Sequence, residues 1–372
     1  MAAISGYYAP VSFLLASIMA ALTALSFAEL SGRFPRCAGA ALYVKEGFSS
    51  ERLSVIVGLL VVAAGLVSSA AIVNGFTAYL GEFIELDRVT AIIIVTLAIG
   101  AIAAWGIAES VSIAAFVTVV EIAGLLLVIA VSYSGLAELP DRWRELVPAT
   151  DSTSWYGIYA GSLLAFYAFI GFEDMVEVAE ETRQVRRNLP IGIMLTLGIT
   201  TLLYMTIMVT AVLAMPPEQL AQSPVPLARL YEHYTADDAT IISTIGLFAL
   251  INGALIQMIM ASRVLYGMSS RKLLPAIISR VNRRTQTPLV ATALTTAAIL
   301  LLAVSGSLAS LAQATSLIML IVFSLVNLAL LHIKRKHPRP EGLIVFPVLI
   351  PLLGFVVSAA FIVLELISLF SI

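Results

Sequence analysis

Hydrophobic positions in this chain come in long runs separated by short polar segments. Ten apolar stretches stand out, at about 9–30, 54–80, 89–107, 111–133, 154–176, 191–215, 240–262, 288–304, 307–332 and 343–370. A helix that crosses a bilayer needs roughly 20 predominantly apolar residues, and these runs meet or approach that length. The pattern therefore predicts ten membrane-spanning helices. Asn188–Leu189–Pro190 and Thr287–Pro288 each put a cap-type residue just ahead of a proline, which predicts helix starts at those points. Pro347 and Pro351 lie inside the last run and predict a kink there. Glu121 interrupts the fourth run near its centre.

Composition agrees with the pattern. The chain is 60% hydrophobic and 12% charged, whereas an ordinary soluble domain is about 45–50% apolar and about 25% charged. The prediction is an all-α integral membrane protein forming a single transmembrane domain over 1–372, with the lipid bilayer as its surroundings. A net charge of −2 suggests no nucleic-acid partner. Cys37 is the only cysteine, so no internal disulfide can form. Histidine occurs only at 233, 332 and 337, which argues against a metal cluster, and no cofactor is called for. The opening "MAAISGYYAP" has no Lys or Arg and so lacks the charged region of a secretory signal.

Lysine and arginine orient the bundle. The odd-numbered loops hold four, none, three, six and four of them, 17 in all; the even-numbered loops hold one, two, one and none, four in all. That bias puts the odd loops in the cytoplasm of a multi-pass cell-membrane protein and the N-terminus of this chain outside. It also supports ten spans, because a miscounted span would scramble the alternation. Nothing at the N-terminus explains how it reaches the outside, so a further helix is expected ahead of residue 1 and absent from this chain.

A few polar groups break the apolar runs. A charged acid at the position of Glu121 costs about 2.5–3.5 kcal/mol on insertion scales, and such residues usually face the bundle interior. It could carry a proton, or it could be a protonated acid hydrogen-bonded to a neighbouring helix. Gln313, Ser316, Ser324 and Asn327 fall within one arc of the ninth run. They could line a polar path or bond to other helices. Asn74, Asn252 and Gln257 are weaker instances of the same signal. No arrangement of Ser, His, Cys or acids at enzyme-like spacing is present, which leaves transport as the leading class and no enzyme.

The stretch "AFYAFIGFEDM", residues 165–175, poses a sharper question. Eighteen mostly apolar residues from Trp155 to Phe172 run straight into Glu173 and Asp174, with Gly171 between bulky neighbours. A helix leaving the membrane and a helix broken inside it both fit.

Three segments resemble the amino acid–polyamine–organocation superfamily of permeases. "ALSFAELSGRFPRCAGAALYVKEGF", residues 24–48, is similar to the family's second helix and following loop. "FYAFIGFEDMVEVAEETRQVRRNLPIGI", residues 166–193, is similar to its sixth helix and exit. "ASRVLYGMSSRKLLPAIISRVNRRTQTP", residues 261–288, resembles the end of its eighth. The resemblance implies a five-plus-five inverted-repeat transporter fold with helices one and six broken at mid-membrane around the substrate. It divides this chain into an incomplete first repeat at about 9–133, a second at about 154–332 and an extra helix at about 343–370. On that mapping the family's first and twelfth helices are missing.

The same resemblance implies that the sixth-helix segment unwinds near 169–172 and resumes through Val176 to Glu181. Tyr167, Phe169, Ile170, Gly171 and Glu173 would then meet an amino acid or related amine. Ile170 and Gly171 would offer backbone groups, Tyr167 an aromatic lid, and Glu173 a gate or substrate contact. Glu121 would couple a proton, and Asn252, Gln313 and Ser316 would line a polar path. The expected activity is secondary transport by alternating access, proton-coupled or by exchange. The competing reading is a non-transporting membrane sensor, a partner subunit or an inactive truncated permease.

Overall fold

A computed structural model describes residues 1–36, 39–106, 111–235, 238–270, 272, 274–338, 340 and 342–370. Its main helices are α1 (Ala9–Arg33), α2 (Gly39–Phe48), α3 (Glu51–Leu80), α4 (Arg88–Trp105), α5 (Val111–Val131), α6 (Ser152–Tyr167), α7 (Val185–Ala214), α8 (Thr240–Ser270), α9 (Leu289–Ser305), α10 (Leu308–Lys336) and α11 (Leu349–Phe370). No strand occurs among the described residues. Eight segments are long and apolar enough to cross a membrane, and two shorter apolar helices, Phe116–Val131 and Leu289–Ser305, accompany them. Together they fall on the ten predicted runs.

Three predicted details are corrected. The sixth run was expected to start its helix at the proline, but α7 begins at Val185 and Pro190 lies inside it. The Asn188 amide does not cap that proline; it donates to the Arg183 carbonyl at 2.7 Å. With no N–H at Pro190, the Arg186 carbonyl loses its helical partner. At α9 the Thr287 hydroxyl does not cap either. It donates to the Ala104 carbonyl at 2.8 Å, on the last turn of α4. In the last run, α11 starts at Leu349, so Pro347 precedes the helix and Pro351 sits in its first turn. First-turn N–H groups have no helical acceptor, so neither proline interrupts the ladder that a kink would break.

Side-chain caps set two other starts. Asp87 accepts the Thr90 N–H at 3.0 Å ahead of α4. Asp151 accepts the Ser154 N–H at 2.9 Å ahead of α6. Both satisfy an orphan helix donor. The hydrogen bonds from Thr90 hold the Asp87 carboxyl below its ordinary range, and those from Ser154 do the same for Asp151.

The chain forms two compact units. One comprises Met1–Tyr7, Val62–Val147 and Thr206–Thr315; the other comprises Tyr8–Val61, Pro148–Met205 and Ser316–Ile372. Each draws on segments far apart in sequence. In the first unit, α4 packs on α9, and α8 packs on α4, α5 and α9. The Asn74 side chain donates to the Ala303 carbonyl at 3.1 Å and accepts from Arg88 at 2.9 Å. Arg88 also reaches the Ala303 and Gly306 carbonyls, placing its cation at the C-terminal end of α9, where the helix dipole favours it. An apolar cluster of Val128, Met215, Leu220, Leu230 and Ile242 fills one region of this unit.

In the second unit α1 is the central member, packing on α6, on α11 and on the segment after α6. Small residues on α1, among them Ala9, Ala16, Ala20, Ala24 and Ala28, are fully buried. Without a hydrophobic drive between helices in lipid, close backbone approach through small residues supplies the packing. Ser12 adds a hydrogen bond from its hydroxyl to the Ile158 carbonyl at 3.1 Å.

A broken helix as the candidate functional site

The second unit contains the break. The α-helix α6 ends at Tyr167, and its exit tightens to hydrogen bonds three residues back. Ala168 N–H reaches Ala165 O at 3.0 Å, Phe169 reaches Phe166 at 3.0 Å, and Ile170 reaches Tyr167 at 3.2 Å. Gly171 then takes φ 125°, ψ −20°, a conformation that side chains strongly disfavour. Its N–H is not given to a carbonyl one turn back. The Glu173 carboxylate accepts it at 2.9 Å, so a side chain supplants the helical acceptor. The chain resumes as a 3-10 helix over Phe172–Glu181. The resumption expected from Val176 to Glu181 is thus there, but in the tighter winding and from Phe172 onward.

Apolar packing fixes the two sides of the break. The Phe169 ring meets Phe13 at 6.3 Å and Tyr204 at 5.5 Å between centroids, and Phe13 meets Tyr204 at 6.2 Å. Phe172 meets Phe27 at 5.8 Å and Phe323 at 5.4 Å. All but the tilted Phe172–Phe323 pair are edge-to-face, and such contacts add about 0.5–1.5 kcal/mol each beyond area burial. The Phe169 side chain is buried in this cluster. Tyr167, Ile170, Gly171 and Glu173 are half-buried around the turn.

Beside the break, the lower part of the polar stripe on α10 is an interhelical network. Asn327 donates to the Thr23 hydroxyl and the Phe323 carbonyl, both at 2.9 Å, and accepts from Ser26 at 2.6 Å. Ser316, one of the predicted path residues, is buried, and its hydroxyl has no hydrogen-bond partner. Gln313 belongs to the first unit and is half-buried. Glu121 and Asn252 also belong to the first unit, and there the two side chains hydrogen-bond to each other, α5 to α8.

Sequence reasoning passed over one buried ionic group in the second unit. The Glu29 carboxylate accepts from Arg33 Nε at 2.9 Å, from Arg33 Nη2 at 2.7 Å, from Lys334 Nζ at 2.7 Å and from the Phe346 N–H at 2.9 Å. Lys334 also donates to the Phe346 carbonyl at 2.7 Å, and Arg33 to the His337 carbonyl at 2.9 Å. The carboxylate is wholly buried and both cations nearly so. The Glu29–Arg33 spacing of four residues was visible in the sequence; the Lys334 partner was not.

Helices interrupted within an apolar run recur among membrane transporters. The chain belongs to the amino acid permease family, whose model matches residues 1–370. It is 30% identical to "Cationic amino acid transporter 2, vacuolar" of Arabidopsis thaliana over 91% of this chain and 56% of that protein. It is 26% identical to "Branched-chain amino acid permease BcaP" of Bacillus subtilis (strain 168), over 88% of this chain and 74% of that protein. A "Methylthioribose transporter" of the same bacterium is 24% identical over the same shares. The chain spans just over half the length of the plant relatives, 56% and 58% for the first two. The family and these names are those of transporters and not of enzymes, and the chain is a multi-pass membrane protein.

Proposed function

We propose that this protein is a secondary transporter for amino acids or related amines in the cell membrane, working by alternating access with proton coupling or exchange. The observation that carries the reading is the turn at 168–171 between α6 and the 3-10 segment, with Glu173 bonded across it. Backbone removed from the helical ladder is costly facing lipid but useful facing a polar substrate. The Ile170 and Gly171 carbonyls offer acceptors to the substrate's ammonium group, the latter beside the bond it takes from the Asp174 N–H at 3.2 Å; Tyr167 closes over it, and Glu173 holds the turn and neighbours the cation. Relatives named for cationic and for branched-chain amino acids support an amino acid substrate, and the one named for methylthioribose widens the class to be tested. Glu121, held by Asn252, is the proton carrier, with Gln313 and Ser316 on the polar path.

The test is uptake and counterflow of labelled lysine, arginine, leucine and methylthioribose in proteoliposomes, with and without an inward proton gradient. Wild type is expected to accumulate at least one of them. Glu121→Gln is expected to abolish gradient-driven accumulation while counterflow persists. Absence of both uptake and counterflow for an amino acid panel overturns the transporter reading.

A further inference from the structure

The 3-10 segment Phe172–Glu181 is ten residues long. Runs of that winding seldom exceed three or four residues, because their hydrogen bonds are poorer than α-helical ones, and a longer run marks a hinge or strained sequence. The segment is held from one side by α2. Gly39, the first residue of α2, has φ +40°, and a Cβ built there would stand 2.5 Å from a Glu177 carboxylate oxygen and 3.0 Å from the Val176 side chain. The positive φ favours glycine here, and a Cβ would push on the Glu177 carboxylate and the Val176 side chain. Glu177 thus rests against the N-terminal end of α2, where the helix dipole favours an anion.

One turn further along α2 sits Tyr43. It is wholly buried, and its ring meets Phe27 edge-on at 5.7 Å. Yet its hydroxyl has no hydrogen-bond partner. Burial, and after it the nearby Glu177 carboxylate, hold this phenol above its ordinary pKa. A buried hydroxyl without a partner raises the free energy of the arrangement that contains it. An acceptor that could relieve it lies on the strained segment next door.

We propose that Tyr43 is a positioning residue for the broken helix. Its hydroxyl donates to the Glu177 carboxylate in a second arrangement of Phe172–Glu181, reached when the segment slides by about one helical turn, 5.4 Å, along α2. The arrangement described here has the aromatic contacts without that bond; the second has the bond. The purpose of such a slide rests on the transporter reading, but its readout does not require transport.

The experiment is amide hydrogen exchange over residues 172–181 in purified protein in lipid nanodiscs, without substrate, together with thermal melting. Tyr43→Phe keeps the packed ring and removes only the hydroxyl. It is expected to slow exchange over 172–181 by about two- to tenfold, the range of one net hydrogen bond, with the melting temperature unchanged or raised. In a Glu177→Ala background the same change is expected to have no effect, and in a Glu177→Gln background, which keeps an uncharged acceptor, a smaller one. Unchanged exchange in Tyr43→Phe overturns the proposal. So does faster exchange with a lower melting temperature, which marks a merely structural hydroxyl. An equal effect in the Glu177→Ala background excludes Glu177 as the partner. Because no substrate is used, failure of the uptake experiment leaves this result standing.

Discussion

Gly171 carries a conformation no other residue adopts cheaply, with φ 125° and open space where a side chain would go. Gly171→Ala therefore meets no steric neighbour, and its whole cost is backbone strain, about 1–3 kcal/mol. Lowered thermal stability of that size, with transport lost more steeply than stability, is the expected outcome. A variant that melts and transports like wild type would mean that the turn relaxes freely and has no part in the site. A glycine between bulky residues, followed by two acids, drew attention to this stretch but fitted a helix exit as well as a break, and the family resemblance pointed to the break. The sequence was silent on the Glu173 carboxylate taking the Gly171 N–H, because that bond depends on the turn's geometry.

Between elements, the buried Glu29–Arg33–Lys334 group ties α1 to the end of α10 and to the connection before α11. Removing one partner of a buried ion pair leaves the other charge uncompensated and costs about 3–5 kcal/mol. Lys334→Met leaves Glu29 with Arg33 as its remaining cation, so a smaller loss than that is expected in thermal or denaturant unfolding of purified protein. Combining it with Glu29→Gln is expected to cost less than the sum of the two single losses, since the carboxylate that Lys334 faced is then gone. Additive losses in the double variant would show that the two residues act separately. The helices themselves were legible as apolar runs, but their starts were less so. Thr287 and Asn188 look like caps and instead bond to Ala104 and Arg183, because the acceptor that wins is the one the fold brings near.

For the whole molecule, the charge bias predicts that odd-numbered loops face the cytoplasm. In a Cys37→Ser background, a cysteine at Arg144→Cys is expected to react with a membrane-impermeant maleimide on intact cells. One at Arg186→Cys is expected to react only after permeabilisation; both positions are exposed in the fold. The reverse labelling would invert the topology and put Glu29 and Lys334 at the outer end of their helices.

Apolar runs and the charges between them were enough to say where the helices run and to assign each loop a side of the membrane, because each of those signals is contained in a short segment. At residues 165–175 the same signals fitted an exit and a break equally, and the resemblance to the permease superfamily pointed to the break. The tertiary structure alone decided which buried polar groups meet. The neighbour of Glu121 could not be named from the sequence, and it is Asn252. Asn327 could have lined water, and it bonds Thr23 and Ser26. Tyr43 was not singled out in the sequence, and its hydroxyl is left buried without a partner near Glu177. A residue's periodicity tells which face of a helix it occupies. Which residue lies opposite depends on how helices from distant parts of the chain pack, and in lipid that packing follows from close backbone contact and from the need to satisfy the backbone's own donors and acceptors.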